Sequence, residues 1–288
     1  MPASLLPMPD LLVRSDAECG EGPVLDPRTG ELAWVDIPRG VLHRSDPCSG
    51  EDRTTRYDTM LGAVAPRRVT GWAAAVADGF AYLDGDQLSL VDYVLPEPTR
   101  RMNDAKCDAR GRLWAGSTDV SFRPGAGALH CWDGSRPSVV VETGLTLPNG
   151  IGWSPDHRTM YLVDSMRGAV YRAGFDLDTT HLGELETHFT VEQGLPDGLC
   201  VADDGSLFVA IWGAAQILRI SRSGVLLEVL PTPVSQPSSC ALGDDGTLYI
   251  TSARGGLSQA ELSDQPLAGS VFATAVGARP VPIASFAT

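Results

Sequence analysis

The chain has 288 residues, 43% of them hydrophobic, with 31 glycines and 21 prolines and a formal net charge of −14. That length and apolar content suffice for a sizeable core in a single all-β unit. The acidic balance and the lack of any Lys/Arg-rich run argue against nucleic acid or an anionic membrane surface as a partner. The N-terminal segment MPASLLPMPDLLVR has no basic start followed by an apolar run, and no stretch approaches the roughly 18 apolar residues of a membrane span. Neither a signal peptide nor a membrane segment is expected, and the cytoplasm is the expected compartment. Cys19, Cys48, Cys107, Cys131, Cys200 and Cys240 form no C-x-x-C pair. They read as small buried hydrophobes in a reducing compartment.

From the N-terminus onward one pattern recurs: a polar turn rich in Asp and Gly, then a short apolar run. It appears as DPRTGELAWVD at 26–36, in degenerate form as RRVTGWAAAVADGFAYLDG at 67–85, and as DARGRLWAG at 108–116. It returns as SPDHRTMYLVD at 154–164, ADDGSLFVA at 202–210 and GDDGTLYIT at 243–251. The first apolar residues after the well-formed turns are Leu32, Leu113, Met160, Leu207 and Leu248, at intervals of 81, 47, 47 and 41. The first interval is about twice the others and holds the degenerate copy, which makes six units. Each unit has room for further short strands such as VLHRSD, GALHCWD and QILRIS. Four strands at this period predict an all-β, six-bladed β-propeller with four-stranded antiparallel blades around a central channel. The D-D-G and D-x-x-G turns supply the positive φ that tight hairpins need. No linker interrupts the repeat, so 1–288 is read as one domain. The segment near Leu11–Arg14 is expected to pair in the same blade as Ser270–Val276, closing the ring.

The motifs for other chemistries are missing. No H-x-x-x-H pair, no G-x-S-x-G elbow and no G-x-G-x-x-G or P-loop occurs. Four segments stand out instead, each read as a loop converging on the channel. In ECGEGPVL, Glu21 sits between two glycines ahead of a proline and reads as a turn acid or a ligand. In RRMNDAKCD, Arg101 and Asn103 are fork-shaped donors suited to sugar hydroxyls and carbonyls, with a self-capped turn around Asn103 and Asp104 as the alternative. LTLPNGIGWSPD and QGLPDGLCVADDG put Asn149 and Asp197 at equivalent places in consecutive repeats, so both should face one axis; a plain hairpin turn at Asn-Gly is the alternative. Glu21, Asn149 and Asp197 together offer oxygen donors only, a set suited to one hard divalent cation.

The segments G-E-G-P, R-x-N-D-x-K-x-D-x-x-G-R, N-G-x-x-W-S-x-D and P-D-G, in that order, resemble the SMP-30/gluconolactonase/regucalcin family over nearly the whole chain. The resemblance implies one divalent metal in the channel, with Glu21, Asn149 and Asp197 at the ligand positions. Ca²⁺ fits best by hardness, and Zn²⁺, Mn²⁺, Mg²⁺ or Fe²⁺ could bind the same oxygens. It also implies that Arg101 and Asn103 hold substrate hydroxyls and that Asp197 is the catalytic general base. The expected activity is hydrolysis of sugar lactones to aldonic acids. The alternatives are an organophosphate-type esterase on the same site and a non-catalytic propeller that binds a metal or small molecule. Asp164 is a candidate support for the site, and Trp212 and Arg254 are candidates for the channel mouth. The segment GSTDVSFRPGAG departs from the family, which often carries sugar-binding acids there; Asp119 and Ser121 are the residues this chain offers.

Overall fold

A computed structural model describes residues 3–288. Every repeated turn becomes the hairpin between the first and second strands of a four-stranded antiparallel sheet. Six such sheets form the ring of a six-bladed β-propeller. Blade 1 comprises Gly20–Leu25, Leu32–Asp36, Val41–Ser45 and Asp52–Arg56. Blade 2 comprises Leu61–Pro66, Trp72–Val76, Gly79–Asp84 and Gln87–Tyr93, which places the degenerate copy. Blade 3 runs from Arg100–Cys107 to Val139–Leu145, and blade 4 from Pro148–Trp153 to Glu186–Thr190. Blade 5 runs from Leu195–Val201 to Leu226–Pro231, and blade 6 starts with Pro237–Leu242 and Thr247–Ser252. The first strand of each blade contacts the first strands of both neighbours, so these six strands line the channel.

The apolar runs behave as their composition requires. The second strands, such as Leu32–Asp36 and Leu207–Trp212, are buried almost throughout, because both faces of a blade pack on neighbours. Six apolar clusters fill the spaces around the ring. One joins Phe208 and Ile217 of blade 5 to Leu248 and Phe272 of blade 6. The turns use left-handed backbone where glycine was expected, as at Gly205 (φ 82°) and Gly246 (φ 84°). His157 occupies that region in SPDHRT, a conformation His tolerates better than most side chains.

Both chain ends close the ring. Asp10–Val13 pairs antiparallel with Val271–Ala275 as the outer strand of blade 6, as the sequence implied. Ser4–Leu5 adds a parallel fifth strand to blade 5. The C-terminal tail then crosses the channel at the end of the inner strands remote from Glu21. It bridges Ala202 of blade 5 at Pro280 and Arg67 of blade 2 at Phe286, while Ala287 N donates to Gly111 O of blade 3. Phe286 is fully buried and stacks on Trp132 at 4.7 Å, inside the cluster between blades 2 and 3. Phe286→Ala should therefore cost about 3–5 kcal/mol, the usual loss for a large aromatic side chain removed from a core. Denaturant unfolding checks this; a loss below about 1 kcal/mol would mean that the tail is not part of the core.

The cysteines depart in part from expectation. All six are free, and Cys107, Cys131, Cys200 and Cys240 are buried. Cys48 is exposed, because it lies in the tip of the turn that joins the outer strands of blade 1, and Cys19 is half-buried. Among the described residues, no helix is long and apolar enough to cross a membrane.

Candidate functional site

The candidate residues are not on loops. Glu21 lies in the inner strand Gly20–Leu25, Arg101 and Asn103 in Arg100–Cys107, Asn149 in Pro148–Trp153 and Asp197 in Leu195–Val201. The correction has one cause that repeats around the ring. Each inner strand loses register once, near its start: between Glu21 and Val24, Leu61 and Ala63, Met102 and Ala105, Pro148 and Ile151, Pro196 and Leu199, and Pro237 and Ser239. A bulge re-aims the side chain at that point; the shifts fall at or beside Glu21, Asn103 and Asp104, Asn149, Asp197 and Ser238, whereas blade 2 has only Gly62 there. Glycine follows Asn149 and Asp197 because the inner strands crowd there. A Cβ on Gly150 would sit 2.6 Å from Leu199 N, and one on Gly198 would overlap the Ser239 side chain.

The bulges gather Glu21, Asn103, Asn149 and Asp197, all buried, with the half-buried Arg101. Asn149 Nδ2 donates to Asp197 Oδ1, so the two equivalent residues do meet on one axis. The same amide nitrogen donates to Ser165 Oγ at 3.2 Å, and Asn149 Oδ1 accepts from no described residue. Glu21 Oε2 accepts from Gly22 N at 2.9 Å. Arg101 Nη1 donates to Asn103 Oδ1 at 2.7 Å and to Met102 O at 3.0 Å, and Asn103 Nδ2 donates to Pro148 O at 3.0 Å. Asn103 therefore fixes Arg101, whose Nε and Nη2 make no hydrogen bond to a described residue.

The electrostatics are those of buried, mutually repelling acids. Burial, and then the charge of Asp104, push the Glu21 carboxyl up to about 8. Burial, then Glu21 and Asp104, push Asp197 well above the usual carboxylate range. Asp104 is itself raised by burial, with Lys106 opposing. Burial lowers the Arg101 guanidinium. Reading the sequence as loops placed Asp104 in the converging segment without giving it a role at the site, and it missed Lys106 altogether. Two residues apart on a strand, they share a face, so the N-D-x-K spacing carries the signal once the segment is recognised as a strand. Lys106 Nζ donates to Leu199 O at 2.7 Å, tying blade 3 to blade 5 across the channel. Cys19, at the mouth, was also missed as a neighbour of the cluster; burial and the charges of Glu21 and Asp197 raise its thiol.

Two buried acids anchor the backbone just ahead of Asn149 and Glu21. Asp164, at the end of the second strand of blade 4, accepts from Thr146 N (2.8 Å) and Leu147 N (3.0 Å), two residues ahead of Asn149. Asp36 does the same in blade 1, accepting from Glu18 N (3.0 Å) and Cys19 N (3.1 Å), two residues ahead of Glu21. If the cluster holds a cation, Asp164→Ala should lower its affinity about tenfold, because the backbone just ahead of Asn149 loses two hydrogen bonds. A cation titration followed by calorimetry checks this; unchanged affinity in a folded variant would remove Asp164 from the site.

Asp119 is engaged by its own turn. It accepts from Ser121 N at 2.9 Å and pairs with Arg123 at 3.3 Å, while Ser121 is exposed. Arg254 pairs with Asp16 at 3.3 Å and Trp212 is half-buried. None of the five histidines joins the cluster: His43 pairs with Asp52, and buried His130 meets Ser117 at 2.9 Å. Among the described residues, no group of three or more His, Cys, Asp or Glu has metal-holding geometry. The oxygen set at the axis consists of two carboxylates and one amide. Buried carboxyls that resist ionisation, beside an amide oxygen with no donor, fit a divalent cation, which would satisfy all three at once.

The fold and site define a six-bladed β-propeller with a buried carboxylate–amide cluster in its channel. The chain is a member of the SMP-30/gluconolactonase/LRE-like family, whose sequence pattern matches residues 19–254. It is 31% identical to regucalcin of Danio rerio over 287 residues, covering 96% of this chain and 97% of that protein. It is 30% identical to the Bacillus subtilis protein named "Putative sugar lactone lactonase YvrE", covering 96% and 99%. The structure of regucalcin from Agrobacterium tumefaciens, described as a calcium-binding protein, superposes with a TM-score of 0.95 at 25% identity and full coverage of both chains.

Proposed function

We propose that this chain, read as one domain over 1–288, hydrolyses sugar lactones with one divalent cation held by Glu21, Asn149 and Asp197. The observation that carries the reading is the meeting of Asn149 with a raised Asp197, within reach of the charge of a raised Glu21 and beside a partly free guanidinium. A lactonase name among the full-length relatives supports the substrate class.

A lactone is a cyclic ester, so its opening needs an activated water and stabilisation of charge on the carbonyl oxygen. The cation, when bound, supplies Lewis-acid polarisation of the carbonyl and acidifies water. Asp197 is the general base: its Oδ2 accepts the proton of the attacking water while Oδ1 stays bonded to Asn149. Arg101, pinned by Asn103, offers Nε and Nη2 to the sugar hydroxyls or to the developing oxyanion. Asn103 holds that geometry and shares the sugar contact. Asn149 contributes a neutral donor, so the site carries less negative charge than three carboxylates would bring. The blade 3 loop offers no free acid to the sugar, since Asp119 is already engaged. Discrimination among aldonolactones then falls mainly on Arg101 and on the residues of the mouth.

Acid release from a panel of sugar lactones, on chelated protein with single cations added back, tests the reading. Cation-restored turnover of one lactone is the expected result. Cation-dependent hydrolysis of a phosphotriester but of no lactone would reassign the substrate. Cation binding without turnover of either would leave a binding protein.

A further inference from the structure

The groove between blades 1 and 2, remote from the channel mouth, contains an arginine in an unusual state. Arg44 is half-buried and forms part of the wall of a half-enclosed cavity of about 540 Å³. Its guanidinium makes no hydrogen bond and no ion pair to any described residue, and its Nε is buried without a partner. Every other half-buried arginine of the described chain has a side-chain hydrogen bond, for example Arg112 to Asp108 and Arg219 to Asp204. Proteins rarely leave a buried donor unmatched, and a buried cation still more rarely.

The internal repeat shows what is missing. Arginine stands at the fourth position of the third strand in three blades: Arg44, Arg172 and Arg219. In blade 4 the residue directly across the outer strand pair is Glu186, which pairs with Arg172 at 3.2 Å. In blade 5 it is Glu228, which pairs with Arg219 at 2.8 Å. In blade 1 it is Arg53, a like charge. The other acids nearby are already engaged: Asp26 by Arg28, Glu31 by Arg53 and Asp84 by Arg67. We propose that the groove between blades 1 and 2 is a binding site for a small anion, carboxylate or phosphate, whose charge on Arg44 replaces the glutamate of blades 4 and 5. A guanidinium fork suits either group. The buried Tyr57 and Trp72, with Leu42, form an apolar wall that limits the water competing for the charge.

Calorimetry of the cation-free protein at low ionic strength tests this with two probes, gluconate for a carboxylate and inorganic phosphate. The expected result is one site for at least one probe, and the probe that binds identifies the anion. Affinity should fall at least about tenfold in Arg44→Ala and in Arg44→Gln. It should also fall in Arg53→Glu, which restores the internal carboxylate and should raise Tm. Lactone turnover should stay unchanged in all three variants, which separates this site from the channel. Absence of binding by both probes, or binding that survives loss of Arg44, would overturn the proposal.

Discussion

Asp197→Ala is expected to lower kcat/KM on any lactone by about 10³-fold or more while making the cation-free protein more stable. The first effect follows from two roles on one side chain. A positioned general base is worth about 10²–10⁴-fold by itself, and Asp197 is also one of only two carboxylates in the oxygen set. The second effect follows from burial. An acid whose carboxyl is raised by burial and by like charges from Glu21 and Asp104 costs folding energy whenever it ionises. Removing it relieves Glu21 and Asp104 as well. The opposite signs of the two effects separate loss of function from loss of fold. Lactone turnover and thermal unfolding of the chelated variant check both. A variant that keeps a tenth of wild-type turnover would deny Asp197 the role of base.

Cation binding and pH should be strongly linked through Glu21. Its carboxyl is held at about 8 in the folded chain against 4.5 for an ordinary glutamate. Between those values the folded state binds more protons than the unfolded state. Stability of the cation-free protein must therefore fall as pH rises from about 4.5 to about 8, by up to ~1.4 kcal/mol per pH unit from this group. Above 8 the loss is complete, and below 4.5 the effect is absent. A divalent cation reverses the sense. It binds the ionised form, so its affinity should climb with pH and level off above about 8. Glu21→Gln should flatten the stability profile of the cation-free protein and lower cation affinity by at least tenfold. Unfolding curves from pH 5 to 9, with and without Ca²⁺, read both arms. Cation-free stability that rises over this range would contradict the assignment of Glu21 as a raised, buried acid.

The glycines beside Asn149 and Asp197 follow from the crowding of the inner strands. Side chains built into inner strands are held by neighbouring strands, whereas the same residues on loops would have to be ordered before a cation could bind. Gly150 and Gly198 let those strands come close enough to concentrate the carboxyls, whose repulsion a bound cation would relieve. Asp36 and Asp164 repeat one device in two blades, anchoring the backbone two residues ahead of Glu21 and of Asn149 respectively. That repetition supports reading both as positioning residues rather than as isolated strand-end acids.

The repeating turn is a local signal: Asp and Gly at fixed offsets, followed by apolar residues, announce a hairpin wherever they stand. Six such signals at a period of 40 to 50 residues were enough to specify a six-bladed ring, its closure by Leu11 against Phe272, and the shared axis of Asn149 and Asp197. Proline and glycine around Glu21 and Asn149 pointed equally to loops, because a bulged strand and a turn use the same residues. The difference lies in hydrogen bonds to a partner strand that is distant or not yet formed when the segment is viewed alone. Only the assembled ring decides that these residues sit at register shifts and that Asp104 and Lys106 join them. The same holds for Arg44: its charge is plain in the chain, but its lack of a partner depends on which residue stands across from it, and pairing across strands is a tertiary fact.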